Sequence, residues 1–128
     1  MNVDFEVFEA GPVVQNTDRP HVTISKLGHL FFNRHALALL GDPIAVTLMY
    51  DRKRKIIGVM PSDRRRPNAF HLRRKDGEAS RGRMLHANNF CKHYSIRPTE
   101  TLAFISPEVH NNGILILNLH EVRSVKKA

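Results

Sequence analysis

The chain has 128 residues, 41% of them apolar, and a net charge of +8, enough for one domain with its own core over 1–128. Its single cysteine, Cys91, excludes an internal disulfide, and unpaired cysteine usage points to the cytoplasm. No run approaches the roughly 18 apolar residues of a membrane span, and Met1 to Glu9 is acidic without an apolar signal core, so neither export nor a membrane partner is expected.

In chain order, Phe5, Val7 and Phe8 suggest a short leading strand over residues 5–10, followed by loop from Gly11-Pro12 to Pro20. His21 to Ser25 alternates polar and apolar residues, as a half-buried strand does, and His29 to Phe32 continues beyond a turn at Gly28. Asn33 is placed to cap a helix over Arg34 to Leu40, because its side-chain oxygen can accept from an exposed helix N–H, and Gly41 closes that helix. Ala45 to Tyr50 and Ile56 to Met60 read as a hairpin around the turn Asp51 to Lys55. A polar connector runs over 62–81, with one strand expected within Ala69 to Arg73 and a loop from Lys75 to Gly82.

The remainder repeats that order. Arg83 to His86 reads as a strand, Asn88 as the cap of a helix over Asn89 to Tyr94, and Thr101 to Ser106 and Ile114 to Leu119 as strands. The loop between the last two holds Asn112-Gly113, a dipeptide suited to tight hairpins. Residues 121–128 read as a frayed basic tail. Gly28 then matches Gly82, Leu40 matches Tyr94, Pro43 matches Pro98 and Ile56 matches Ile114, an offset that grows from 54 to 58. Two pseudo-repeats, about 21–61 and 82–120, are expected.

Charge is concentrated more than its total suggests. Residues 51–83 hold 12 of the 20 Lys and Arg and 4 of the 12 Asp and Glu, so this window carries +8 and the rest of the chain balances to zero. Such a field attracts polyanions. The candidate nucleic-acid-binding residues are Arg52, Lys53, Arg54, Lys55, Arg64, Arg65, Arg66, Arg73, Arg74, Lys75, Arg81 and Arg83. Of these, Arg52, Arg54, Arg64, Arg65 and Arg66 are candidates to reach base edges in a groove.

Val22-Thr23-Ile24-Ser25-Lys26-Leu27-Gly28-His29-Leu30-Phe31-Phe32-Asn33, the helix ending Leu39-Leu40-Gly41-Asp42 and the hairpin after it resemble the DNA-binding module of the AbrB and MraZ transition-state regulators. The chain is also similar to small uncharacterised bacterial and phage proteins that share the helix Phe90-Cys91-Lys92-His93-Tyr94. The AbrB resemblance implies a mainly β fold with two short helices, in which two units interleave into a barrel-like domain. Such units pair in tandem or as a homodimer, and the implied function is duplex DNA binding in transcriptional regulation. The family's helix usually opens with proline where this chain has Asn33-Arg34. Its basic contacts lie near the first turn, where this chain offers only Lys26 and Arg34.

No P-loop, dinucleotide-binding glycine pattern or Gly-x-Ser-x-Gly elbow occurs, so no catalysis and no cofactor are expected. His86, Cys91 and His93 lack the spacing of a zinc site, and Cys91 beside Phe90 is expected to be a buried thiol. Tyr50 and His71 flank basic runs and could stack on a base, although Tyr50 at a strand end suits the core better. Two alternatives stay open: RNA binding, which favours aromatic platforms but finds only Phe70 and His71 inside the charged window, and an interaction or inhibitory module for an acidic protein surface.

Overall fold

Asn33 ties the first hairpin to the first helix. In the computed structural model, which describes residues 2–9, 19–74, 82–110 and 112–125, its Oδ1 accepts from the backbone N–H of Ala36 at 2.9 Å and of His21 at 3.0 Å. Its Nδ2 donates to the carbonyl of Arg19 at 2.8 Å. The strands β1 (Val22–Ile24) and β2 (His29–Phe32) therefore feed directly into α1 (Arg34–Leu39). Gly41 follows α1 at φ +80°, the left-handed conformation expected after a helix end.

Beyond α1 come β3 (Ala45–Asp51), β4 (Ile56–Ser62), β5 (Phe70–His71), β6 (Arg73–Arg74) and β7 (Arg83–His86). Then follow α2 (Asn88–His93), β8 (Leu102–Phe104), β9 (Glu108–Val109), β10 (Leu115–Asn118) and β11 (Val122–Ser124). These strands form two antiparallel sheets, ordered β11-β8-β1-β2-β7-β6 and β5-β3-β4-β10-β9. Alternation puts Val22, Ile24, Leu30, Phe32 and Leu85 of the first sheet and Val46, Ile57, Val59, Leu115 and Leu117 of the second into one buried core. Leu37 of α1 and Phe90 and Cys91 of α2 complete it.

The fold is mainly β with two short helices, as expected, but the sheets do not close into a barrel. Two segments change sheets instead of pairing continuously. Phe70 to Arg74 pairs with β3 up to His71 and with β7 from Arg73, and between them the N–H of Leu72 donates to Ile44 at 2.9 Å. Leu102 to Val109 leaves the first sheet after Phe104 and joins the second at Glu108, across Pro107, which has no N–H to give a ladder. Corners of this kind join two packed sheets.

Two ladders have a notable register. In β4·β10, Gly58 faces Ile116, Ile57 faces Leu117 and Val59 faces Leu115. In β2·β7, Leu30 faces Leu85 and Phe31 faces Met84.

Four local expectations change. Residues 2–9 form no strand, and Phe5, Val7 and Phe8 are exposed, because an apolar alternation makes a strand only where a ladder partner exists; Ala10 lies outside the described residues. The strand expected over 69–73 is two short pieces. Asn88 is not a cap but the first helical residue: Ala87 precedes α2, its N–H donating to the carbonyl of Gly28 at 3.0 Å, and no side chain caps this helix. A tertiary bond sets that helix start where the sequence suggested a local one. Finally, the supposed tail supplies β11, held by β8 from Val122 to Ser124, while 126–128 lie outside the described residues.

Candidate nucleic-acid interface

The basic window is split by the strand that runs through it. Arg52 to Lys55 occupy the turn before β4, and Arg64 to Arg66 the turn after it. Ile56 to Ser62 at about 3.3 Å per residue holds the two groups about 20 Å apart.

The first turn is internally organised. Asp51 Oδ1 accepts from the N–H groups of Lys53 and Arg54, both at 3.0 Å, and Oδ2 pairs with Arg54 Nη1 at 3.0 Å. The backbone bond from Arg54, then its side-chain bond, hold the Asp51 carboxyl below its ordinary range. Lys55 takes a φ of +57°, closing the turn. Arg52 lies over the ring of Tyr94, 4.8 Å from its centroid, and Tyr94 packs on Tyr50, Phe90 and His93 at 4.9, 5.1 and 4.6 Å between centroids. Tyr50 is thus an inward-packed ring, its phenol pushed up by burial.

The second group gathers the rest. Asp63 Oδ1 accepts from the N–H of Arg65 at 2.9 Å, and the N–H of Arg66 donates to the carbonyl of Asp63 at 3.0 Å. The exposed His71 ring reaches the carbonyl of Arg64 at 3.3 Å, tying this turn to β5 and so to Arg73 and Arg74 of β6. Arg74 faces Arg83 directly across the β6·β7 ladder. Phe70 packs against the core. Lys75 and Arg81 lie outside the described residues. Among the described residues, Arg54 is the only member of the window that is ion-paired.

The charge window omits Arg34, which joins this second group because α1 packs beside the β6–β7 edge; one cleft is lined by Arg34, Arg74 and Arg83 together. A residue so far from Arg74 in sequence gives no local signal of that meeting. Lys26, Lys92 and Arg97, also outside the window, line a second cleft of about 370 Å³ beside Gly28 and Cys91.

Among the described residues no group of three or more His, Cys, Asp or Glu side chains could hold a metal ion. His86 stacks on His29, with ring centroids 4.4 Å apart. Cys91 is buried, and burial pushes its thiol up, which disfavours the reactive thiolate. No helix among the described residues is long and apolar enough to cross a membrane. No known family model matches the chain, and no curated protein or solved structure matches it.

Proposed function

We propose that this protein binds duplex DNA by its backbone phosphates, in the manner of a transcriptional regulator built from two AbrB-like units in one chain. The observation that carries the reading is the second basic group. Arg64, Arg65 and Arg66 are exposed in the turn that His71 ties to the segment carrying Arg73 and Arg74, Arg74 is the ladder partner of Arg83, and no carboxylate is paired to any of the six among the described residues. Unpaired guanidinium groups are free to take phosphate oxygens and release counterions, which gives affinity without sequence information.

Three features support the tandem arrangement. An offset of 58 carries Ile57, Gly58 and Val59 onto Leu115, Ile116 and Leu117, and under that exchange the β4·β10 ladder maps onto itself. An offset of 54 carries Leu30 and Phe31 onto Met84 and Leu85 and does the same for β2·β7. The segment Phe70 to Arg74 also makes the pairings that β1 makes, one to the hairpin-mate strand and one to the other half.

The test is a duplex titration at several salt concentrations. With about six phosphates contacted, the log of the binding constant should fall with log salt at a slope of about −5. Changing Arg64, Arg65 and Arg66 together to Ala should weaken binding to every sequence and flatten the slope by roughly 2 to 3. All three are exposed, so the fold should hold. No duplex binding at about 50 mM salt by the wild type, or an unchanged slope in the folded variant, removes the proposal.

A further inference from the structure

Between α1 and the β6–β7 edge lies a cleft of about 400 Å³, lined by Arg34, His35, Ala38, Asp42, Arg74 and Arg83. That volume suits a small ligand or one projecting group and not a double helix. Three arginines from three elements meet there. Arg74 and Arg83 are direct ladder partners, so their side chains leave the sheet on the same face, and like charges so placed repel. Arg83 Nη1 donates to the carbonyl of Gly82 at 3.4 Å, and Arg34 Nε to His35 Nε2 at 3.5 Å. Neither contact neutralises a guanidinium, and among the described residues none of the three arginines is ion-paired.

The described lining therefore sets three guanidinium groups against one carboxylate, Asp42, a formal excess of two positive charges. A backbone phosphodiester is singly charged and would leave that excess half-satisfied. A phosphate monoester carries about −1.5 to −2 at pH 7 and offers three terminal oxygens. Guanidinium forks bind such oxygens in pairs. We propose that this cleft binds a phosphate monoester dianion, supplied by the 5′-terminal phosphate of a nucleic-acid strand or by a free nucleotide. The strand-end source rests on the DNA-binding reading, and the free-nucleotide source does not.

The first experiment titrates the whole protein with methyl phosphate and with dimethyl phosphate, following the backbone amides of Arg34, His35, Arg74 and Arg83 by NMR. Methyl phosphate should shift these amides saturably, and the diester should bind at least about tenfold more weakly. Methyl phosphate binding should also weaken as the pH falls through the second phosphate pKa, near 6, while the arginines stay charged. Changing Arg34 and Arg74, both exposed, to Gln should cost about tenfold or more in methyl phosphate affinity. Changing both to Lys, which keeps the charge and loses the fork, should fall between the two and covers a failure of the Gln variant to fold. Absence of saturable shifts at these four amides, or equal binding of the two esters, overturns the proposal.

The second experiment separates the sources with one duplex carrying either a 5′-phosphate or a 5′-hydroxyl. Tighter binding of the phosphorylated duplex, lost in the Arg34 and Arg74 variant, assigns the strand end. Equal binding of the two duplexes with methyl phosphate binding intact assigns the free nucleotide. If neither duplex binds while methyl phosphate does, the duplex-binding function falls and the cleft stands.

Discussion

Asn33 ties together three segments of the first half. One amide caps α1, satisfies the N–H of His21 where β1 begins, and holds the carbonyl of Arg19. Removing it leaves a helix N–H and the N–H just before β1 without the acceptor they share. Asn33→Ala should cost about 2 kcal/mol in a denaturant titration, with the slope of the transition unchanged. Asn33→Asp keeps the oxygen that accepts from Ala36 and His21 and loses the donor to Arg19, so its cost should be smaller. Equal losses in the two variants would mean that the cap is not what Asn33 contributes.

At the scale of elements, β2 and β7 are joined by a ladder that pairs His29 with His86, and the two rings stack. Burial, and then the neighbouring His86, lower the pKa of His29; burial, and then Arg123, lower that of His21. Both groups therefore bind a proton less readily in the folded state than in the unfolded chain, whose histidines titrate near 6.5. Below that pH the unfolded state takes up more protons, so stability present above about 6.5 is lost as the pH falls toward the lowered values. The melting temperature should drop between pH 7 and pH 5. His29→Phe, which keeps a ring against His86 and cannot be protonated, should reduce the drop. A melting temperature indifferent to pH over this range would contradict the assignment. The same ladder region seats the turn at Gly28 against α2. Its φ is +82°, and a Cβ there would lie 3.1 Å from the Asn88 backbone, so a side chain is disfavoured twice.

For the whole molecule, the separation of the charge window into two groups matters more than its total. Arg52 is laid on Tyr94 and Arg54 is paired with Asp51, so the turn before β4 has committed part of its charge internally. Among the described residues, the group after β4 has not. Changing Arg52, Lys53 and Lys55 together to Ala should therefore flatten the salt dependence of duplex binding less than the matching change at Arg64, Arg65 and Arg66, although each removes three charges. Identical slopes for the two triple variants would show that net charge alone governs binding.

Much of the local structure was legible in the residues themselves. The hairpin and helix from Val22 to Gly41, the strands on either side of Asp51 to Lys55 and the buried thiol of Cys91 follow from alternation, capping and burial preference, which act within a few residues. The density of charge between 51 and 83 is likewise a property of composition. What the chain alone did not determine depends on partners distant in sequence. The N-terminal apolar alternation found no ladder, Val122 to Ser124 found β8, and the start of α2 was set by the carbonyl of Gly28 in place of an Asn88 cap. The strands fall into two sheets, joined by two segments that turn corners at Leu72 and Pro107, where pairing passes from one sheet to the other. The meeting of Arg34 with Arg74 and Arg83 is of the same kind. Helix periods and turn residues are written in short windows, whereas strand pairing and the convergence of charges are settled only when the core closes and decides which edges lie side by side.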